Sequence, residues 1–363
     1  MLILTLLAVS PLVVKLILEL VQHNDLTTLN NKRKYDKIFL IICGILITFI
    51  MGFRGRFTGS PDTDNYCKGL IGASKYKNFF DYFALHVTNN NYLLSEIGFY
   101  FCNWLLARIY AEPQLLIFVS SAFIVYSVMR FIYKNSENVL LSVVMFVCLG
   151  LFTFSMNGMR QAIAMAICLW AYEFVKKEKF WKFLLVVFIA FLFHKTAVVF
   201  LAVYLIKFFK FDAKSVLFFL ILLGVFVALS PILVQYFDEV YDKNYSEGES
   251  FDSGGLIQLL LYVIILIVAL IFNNAMREKD GKNFFYLTLL ALFFFIMRYI
   301  GIQIFERISY YFSYFAILLL PSTVAKAQKS DGEILAFSAL ILSILLFMYR
   351  TNAGAFSTFY LCF

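Results

Sequence analysis

Apolar runs fill the sequence from end to end, and many are long enough to cross a bilayer as a helix. A helix rises about 1.5 Å per residue, so about 20 apolar residues span the roughly 30 Å of hydrocarbon. Hydrophobic residues make up 62% of the chain and charged residues 15%, which excludes a water-soluble globule because one core cannot hide that much apolar surface. The runs are 1–21, 37–53, 95–110, 114–132, 139–155, 158–175, 181–208, 214–237, 254–273, 284–300, 303–325 and 333–349.

These runs predict an all-α integral membrane protein, a polytopic bundle of roughly 11–13 transmembrane or re-entrant helices. We expect a single transmembrane domain over residues 1–363, since no soluble domain fits between the runs. Two connections between the runs are long, 54–94 and 238–253, and we expect both to lie on the outer side of the membrane. Any active site must therefore be built from helix ends and short loops.

The distribution of Lys and Arg predicts the orientation, because basic loops stay in the cytoplasm. The most basic segment, 32–37, is placed inside. Counting every run as one crossing would put the basic segment 176–182 outside. The conflict disappears if the run 181–208 breaks at His194-Lys195 into two short helices, and if 95–110 lies along the outer interface or dips into it.

This topology gathers cationic and titratable residues at or just below the outer face. A charge at mid-depth in the bilayer costs at least ~2.5–3.5 kcal/mol, so such residues are functional candidates by default. Their position opposite the basic loops predicts an anionic ligand. The residues are Arg54, Arg56, Arg160, His194, Arg298 and Arg307.

The segment 53–66, which leaves the second run, is the first candidate motif. Its guanidinium groups, on Arg54 and Arg56, can each clasp an oxyanion through a planar fork. Asp62 and Asp64 can orient the arginines or bind sugar hydroxyls. The alternative is a solvated loop whose arginines contact lipid headgroups.

The second motif is 157–164, at the start of a predicted helix. Arg160 and Gln161 stand beside Ala162 and Ala164, whose small side chains let another helix approach. The N–H groups of the helix start would also face an anion. The alternative is an arginine that reaches to lipid headgroups.

A third motif, 191–197, places His194 inside an otherwise apolar run. A neutral imidazole there can act as a general base near pH 7. The alternative is a buried histidine that bonds a backbone carbonyl.

In the run 95–110, Glu96 and Asn103 are seven residues apart and share a helical face. They are weaker candidates than the residues of the other motifs.

The last motif lies around residues 298–311. Glu306 precedes Tyr310 by four residues, so the two share a helical face, as do Arg307 and Tyr311. The carboxylate of Glu306 can hold Arg298 or Arg307 in place. The alternative is an interhelical ion pair that fixes the bundle.

The sequence contains no motif for metal binding, nucleotide binding, hydrolysis or nucleic-acid binding. The six cysteines have no C-x-x-C spacing and the three histidines stand far apart in sequence, so we expect no metal and no cofactor. There is no nucleotide-binding, hydrolase or nucleic-acid motif. The net charge of +8 comes mostly from the cytoplasmic loops, so we expect no nucleic-acid partner.

Five segments together resemble the EpsG group of Wzy-type bacterial polysaccharide polymerases, across nearly the full chain. They are FRGRFTGSPDTDNY (53–66), EIGFYFCN (96–103), NGMRQAIAMAI (157–167), FHKTA (193–197) and ERISYYF (306–312). The resemblance implies a membrane glycosyltransferase with a GT-C-like helical bundle. Its matching functional positions are Arg54, Arg160, His194 and Arg307.

The resemblance also implies the reaction and its setting. Such enzymes join polyprenyl-diphosphate-linked oligosaccharides, as donor and acceptor, into O-antigen, capsule or exopolysaccharide. They work without metal at the outer leaflet of the bacterial cytoplasmic (inner) membrane. We expect membrane lipid, a chain-length regulator and a flippase as further partners.

The residues and the resemblance together give a set of expected roles. His194 is the first candidate for the catalytic base, with Asp62 and Asp64 as rivals. The diphosphate-binding candidates are Arg160, Gln161, Arg298 and Arg307. The sugar-binding candidates are Arg54, Arg56, Tyr66, Glu96, Asn103, Glu306 and Tyr310.

Three alternatives would also fit a chain with many spans and internal cations. A polysaccharide flippase should show two similar halves, and a secondary transporter should show broken helices in paired positions. A membrane O-acyltransferase of the same pathway would use a histidine that is reachable from the cytoplasm.

Overall fold

A computed structural model describes residues 2–21, 29–56, 58, 61–90, 96–241, 253–298, 304–353 and 359–362. Those residues are almost entirely helical, which confirms the all-α polytopic class. Short 3₁₀ segments lie at Lys195–Leu201 and Asn273–Arg277. The helices are α1 (Leu2–Val21), α2 (Leu29–Gly52), α3 (Pro61–Ser74), α4 (Phe79–Asn90), α5 (Ile97–Ile109), α6 (Pro113–Asn135), α7 (Val139–Cys148), α8 (Leu151–Asn157), α9 (Met159–Lys176), α10 (Phe180–Phe191), α11 (Ala202–Ile206), α12 (Ala213–Tyr241), α13 (Ser253–Ile271), α14 (Lys279–Arg298), α15 (Ile304–Lys326) and α16 (Lys329–Ala353).

Each predicted apolar run corresponds to a helix or to a pair of helices. Within the described residues, six helices are long and apolar enough to cross a membrane, namely α1, α2, α6, α14, α15 and α16. The pair α7 and α8 also qualifies as one span with a bend of 48°. Helix α5 has 13 residues, about 20 Å, which is short of the hydrocarbon thickness.

The run 139–155 was expected to be continuous, but it divides at Gly150. This residue has a φ of 90° and begins the short helix α8. Glycine adopts that left-handed conformation at little cost because it has no Cβ. The bend points α8 toward the start of α9, which follows after the single residue Gly158.

The predicted break in the run 181–208 is confirmed. Helix α10 ends at Phe191, and the chain resumes as a 3₁₀ segment at Lys195. His194 lies in the turn between them. The polar pair His194-Lys195 therefore marks an interruption of the helix.

The predicted outer loop 54–94 contains two helices, α3 and α4. Pro61 opens α3, and Asp62 and Asp64 stand in its first turn, where a proline ring and negative charge are both favourable. Residues 242–252 of the other predicted loop lie outside the described residues, as do 91–95 and the turn near Gly301.

The contacts divide the chain into two compact units, and the single domain expected from the sequence stays a prediction. The first unit comprises residues 1–198 and 340–363. Its interior is formed by α6, α7 and α9, and α7 is buried along its whole length from Leu140 to Cys148. Helices α1, α2 and α10 turn large apolar side chains outward, such as Trp181 with 77% exposure, as a lipid-facing surface requires.

Charged residues gather at the two ends of this unit. Arg160 opens α9, whereas Glu173 near the other end of α9 pairs with Arg130 and with Lys134 at 2.9 Å. Since Arg130 and Lys134 lie near the end of α6, the two helices run parallel. Glu173 is about 20 Å from Arg160 along the helix, so the two polar groups lie at opposite ends of α9.

The second unit comprises residues 199–339. The helices α14 and α15 form its centre, packed with stacked rings such as Phe294 on Phe312 at 5.7 Å. A polar chain crosses this apolar interior, because Gln258 donates to the Tyr262 hydroxyl at 3.0 Å and that hydroxyl donates to Ser313 at 2.7 Å. Helix α13 is thereby hydrogen-bonded to α15.

Candidate active site

Arg160 lies at the start of α9, as the sequence predicts, and contacts a carboxylate and two aromatic rings. Its Nη1 forms an ion pair with Oε2 of Glu96. The guanidinium carbon lies 5.1 Å from the ring centre of Tyr66 and 5.9 Å from that of Phe99. The side chain keeps 27% of its surface exposed, so the guanidinium is held in place while part of it remains open to a ligand.

Glu96 links Arg160 to His194. Its Oε2 faces Arg160, and its Oε1 lies 3.5 Å from Nδ1 of His194. Its backbone has a φ of 79°, which is uncommon for a residue with a Cβ and is found mainly where the surroundings enforce it. We call Arg160, Glu96, His194 and Tyr66 the Arg160 cluster.

A close contact between α5 and the break after α10 brings Glu96 to His194. The Gly98 N–H donates to the carbonyl of Leu192 at 2.8 Å. A Cβ on Gly98 would lie 3.0 Å from the ring of Phe193 and 3.1 Å from the Leu192 oxygen, tighter than most side chains tolerate. Glycine at position 98 thus permits the approach that forms the cluster.

Arg54 is buried, with 1% exposure, and its guanidinium donates to neighbouring helices. Nη1 reaches the Met51 carbonyl at 2.5 Å and the Ser121 hydroxyl at 3.2 Å, and Nη2 reaches the Met156 carbonyl at 3.0 Å. These carbonyls lie in the last turns of α2 and α8, where a cation is favourable. Arg54 therefore joins the ends of α2 and α8 just before α9, and its predicted contact with sugar stays a prediction.

The C-terminal residues pair with the segment around Arg54. Arg54 and Leu361 form an isolated β-bridge. The Gly55 N–H donates to Tyr360 at 3.1 Å, and the Cys362 N–H donates to Phe53 at 2.7 Å. The end of the chain is thereby fixed against the connection between α2 and α3.

Gly55→Leu is expected to detach this C-terminal segment, because a Cβ at Gly55 would lie 2.0 Å from the ring of Tyr360. We expect maleimide to label Cys362 several-fold faster in the variant, measured after Cys102→Ser removes the other half-buried thiol. Gly72→Leu is the matched control, since a Cβ there meets nothing within 4 Å. An unchanged labelling rate in Gly55→Leu would contradict the pairing.

The acids of the first motif lie at the start of α3 in a more exposed network. Asp64 lies 3.7 Å from Arg56 and 2.7 Å from Lys68, and both basic side chains are largely exposed. Such pairs contribute about 0–1 kcal/mol each. Asp62 is half-buried. Both aspartates therefore remain rivals of His194 for the role of base.

Two further predicted site residues are buried in the first unit. Gln161 follows Arg160 on α9 and has 3% exposure, and Asn103 on α5 has 1%. Asn103 faces α3, because a Cβ on Gly69 would lie 3.4 Å from its Nδ2. Their predicted ligand contacts stay predictions.

The second unit contains its own cation–carboxylate cluster. Glu306 lies 2.9 Å from Nη1 of Arg298, and it accepts a hydrogen bond from the Tyr310 hydroxyl at 3.1 Å. The shared helical face of Glu306 and Tyr310 is confirmed, and of the two arginines that Glu306 was expected to hold, Arg298 lies beside it. Arg307 is exposed, whereas Tyr311 on the same helix is buried.

Sequence reasoning missed the role of Glu96 as a link between a guanidinium and an imidazole. It placed Glu96 on a helical face with Asn103, but Glu96 precedes α5 in a left-handed conformation. The combination of a partly open guanidinium with an imidazole beside a shared carboxylate suits two tasks. The cation can stabilise developing negative charge, and the imidazole can accept a proton.

Comparison with known sequences agrees with these features. A sequence model of the EpsG family matches residues 37–361, a range that includes every residue of the Arg160 cluster and the C-terminal bridge. No match was found among curated proteins or among solved structures. Since the matched range covers most of the chain, the chain belongs to the EpsG family of multi-pass membrane proteins of polysaccharide biosynthesis.

Proposed function

We propose that this chain is a polymerase that joins polyprenyl-diphosphate-linked oligosaccharide units into a surface polysaccharide. The observation that carries the proposal is the Arg160 cluster, which places an anion-binding guanidinium and an imidazole on one carboxylate. Family membership supports the same assignment. The product is an O-antigen, a capsule or an exopolysaccharide.

The reaction transfers the growing glycan from its lipid diphosphate to a hydroxyl group of the acceptor sugar. The acceptor oxygen forms a bond to C1 of the donor sugar while the bond from C1 to the diphosphate oxygen breaks. The electron pair of that bond leaves with the polyprenyl diphosphate, and the hydroxyl proton passes to a base. The enzyme must therefore stabilise a departing anion and accept one proton.

Arg160 is our candidate for stabilising the departing diphosphate. Its position is fixed by Glu96 and by the ring of Tyr66, so little reorganisation is needed when negative charge develops. A planar guanidinium can also donate two parallel hydrogen bonds to a phosphate. Gln161 keeps its expected role as a further diphosphate ligand, and the roles expected of Arg298 and Arg307, which lie in the second unit, stay predictions.

His194 is our candidate base, and we reassign Glu96 from sugar binding to positioning His194. A carboxylate beside Nδ1 favours the tautomer that carries its proton there, which leaves the lone pair of Nε2 to accept the hydroxyl proton. The same carboxylate stabilises the imidazolium once it forms. The exposed Arg56 and the half-buried Tyr66 remain sugar-binding candidates.

We place the reaction at the outer face of the bacterial cytoplasmic membrane. The end of the first unit that carries Arg54 and Arg160 lies opposite the end that carries the basic residues Arg130, Lys134 and Lys176. Basic residues favour the cytoplasmic side. This supports an active site that is open to the exterior.

The test is to identify what accumulates when the gene is deleted. A polymerase is expected to leave single repeat units on the polyprenyl diphosphate at the outer leaflet, detected by mass spectrometry of extracted lipids. Polymer of normal length that lacks acetyl groups would instead indicate an O-acyltransferase. Single units confined to the inner leaflet would indicate a flippase.

A further inference from the structure

A long apolar groove runs along the surface of the first unit between α2 and α6. It has a volume of about 640 Å³, and along α2 it extends from Lys37 to Phe53, about 24 Å at the rise of a helix. Small side chains at Gly44 and Ala122 leave space between larger neighbours. Leu40, Ile45, Phe49 and Val125 are among the residues along its length.

The two ends of the groove differ in charge. One end is lined by Phe53 and Phe118, whereas the other is lined by Lys37, Arg130 and Tyr133. The guanidinium of Arg130 lies 3.7 Å from the ring centre of Trp170 and pairs with Glu173. A second cation, on Lys134, lies 2.9 Å from Glu173, so positive charge exceeds negative charge at this end.

We propose that this groove binds an anionic phospholipid of the cytoplasmic leaflet. An acyl chain fits the apolar length, and the headgroup phosphate faces Lys37 and Arg130. Anionic lipids attract basic residues at the membrane surface. Tyr133 lines the same end of the groove, and tyrosine is enriched at membrane–water interfaces.

The proposed lipid site is separate from the Arg160 cluster. Arg130 lies on α6 beside Glu173, which is about 20 Å from Arg160 along α9. The lipid proposal therefore does not depend on the reaction that the protein catalyses, and either proposal can fail alone.

The test compares two phospholipids with identical acyl chains, phosphatidylglycerol and phosphatidylcholine, added to the purified full-length protein in detergent. Phosphatidylglycerol is expected to raise the Tm by at least about 2 °C more than phosphatidylcholine does. Native mass spectrometry should show one retained phosphatidylglycerol. Equal effects of the two lipids would overturn the proposal.

Variants locate the site. Lys37→Gln, at an exposed position, should remove the preference for phosphatidylglycerol, and Ala122→Leu should remove the retained lipid by filling the groove. Lys214→Gln removes another exposed lysine near a helix start and should keep the preference. The assignment would be overturned if the preference for phosphatidylglycerol survives in Lys37→Gln or is lost equally in Lys214→Gln. Displacement of the bound lipid by a polyprenyl phosphate would also overturn it.

Discussion

Arg160→Ala is expected to reduce polymerisation by about 10²–10³-fold, the usual effect of removing one preorganised donor to a developing anion. Cells that carry the variant should accumulate single lipid-linked units at matched protein levels. Arg160→Lys should fall between the variant and the wild type, because lysine keeps the charge but loses the planar fork. The measurement is polymer length on gels together with mass spectrometry of the lipid-linked units.

A second variant separates chemistry from folding. Removing Arg160 leaves the buried carboxylate of Glu96 without its ion pair, which can cost about 3–5 kcal/mol of stability. Arg160→Ala combined with Glu96→Gln removes both charges and should restore the protein level but not the polymer. Polymer that returns in the double variant would refute the role of Arg160 in catalysis.

An arginine outside the cluster provides the control. Arg108 lies 5.5 Å from the ring centre of Trp104 and donates to the Ala73 carbonyl at 3.0 Å, so it also combines an aromatic ring with a fixed guanidinium. Arg108→Ala should leave polymer length unchanged at matched protein levels. A loss of polymer length equal to that in Arg160→Ala would show that the effect is common to fixed arginines and that Arg160 has no specific role in catalysis.

Local sequence signals were enough to place several elements of the site. The break at His194 followed from two polar residues in an apolar run, and the pairing of Glu306 with Tyr310 followed from helical spacing. Arg160 at the start of α9 followed from the interval between the apolar runs 139–155 and 158–175. In each case the information lies within a few neighbouring residues.

The start of α3 could also have been predicted from the sequence, but the segment was interpreted as a loop. Pro61 followed by Asp62 and Asp64 is a typical beginning of a helix, yet the nearby glycines favoured a turn. A single left-handed residue, Gly150, likewise divides a run whose apolar composition gave no reason for a break. Composition identifies a membrane segment but does not show where its backbone bends.

The contacts of Glu96 could not be predicted from local spacing. Glu96 is separated from Arg160 by 64 positions, and helical periodicity relates only residues one or two turns apart. Its left-handed backbone also removes it from the face that it would share with Asn103. The burial of Arg54 is similar, because backbone carbonyls at two helix ends, which carry no sequence signature, receive its guanidinium.

Glu96→Gln is expected to reduce polymerisation without changing the shape of the side chain. The variant removes the charge that stabilises the imidazolium of His194 and that holds Arg160. General-base catalysis contributes about 10²–10⁴ in rate, so His194→Ala should lose this whole factor and Glu96→Gln a part of it. In the double variant, the part of the Glu96→Gln loss that acts through His194 should disappear, because His194→Ala has already removed that proton transfer.

The control for Glu96→Gln is the same substitution at Glu178, an exposed residue with a φ of 58°. Glu178→Gln changes a charge at another left-handed position and should leave polymer length unchanged.

The tautomer of His194 gives a readout apart from activity. Because the chain has only three histidines, ¹⁵N-histidine labelling gives few signals, and the signal of His194 is identified by its absence in His194→Ala. The wild type should show His194 protonated at Nδ1, and Glu96→Leu should show a mixture of tautomers. A wild-type signal that stays unchanged in Glu96→Leu would show that Glu96 does not position the imidazole, and the base would then be sought at Asp62 or Asp64.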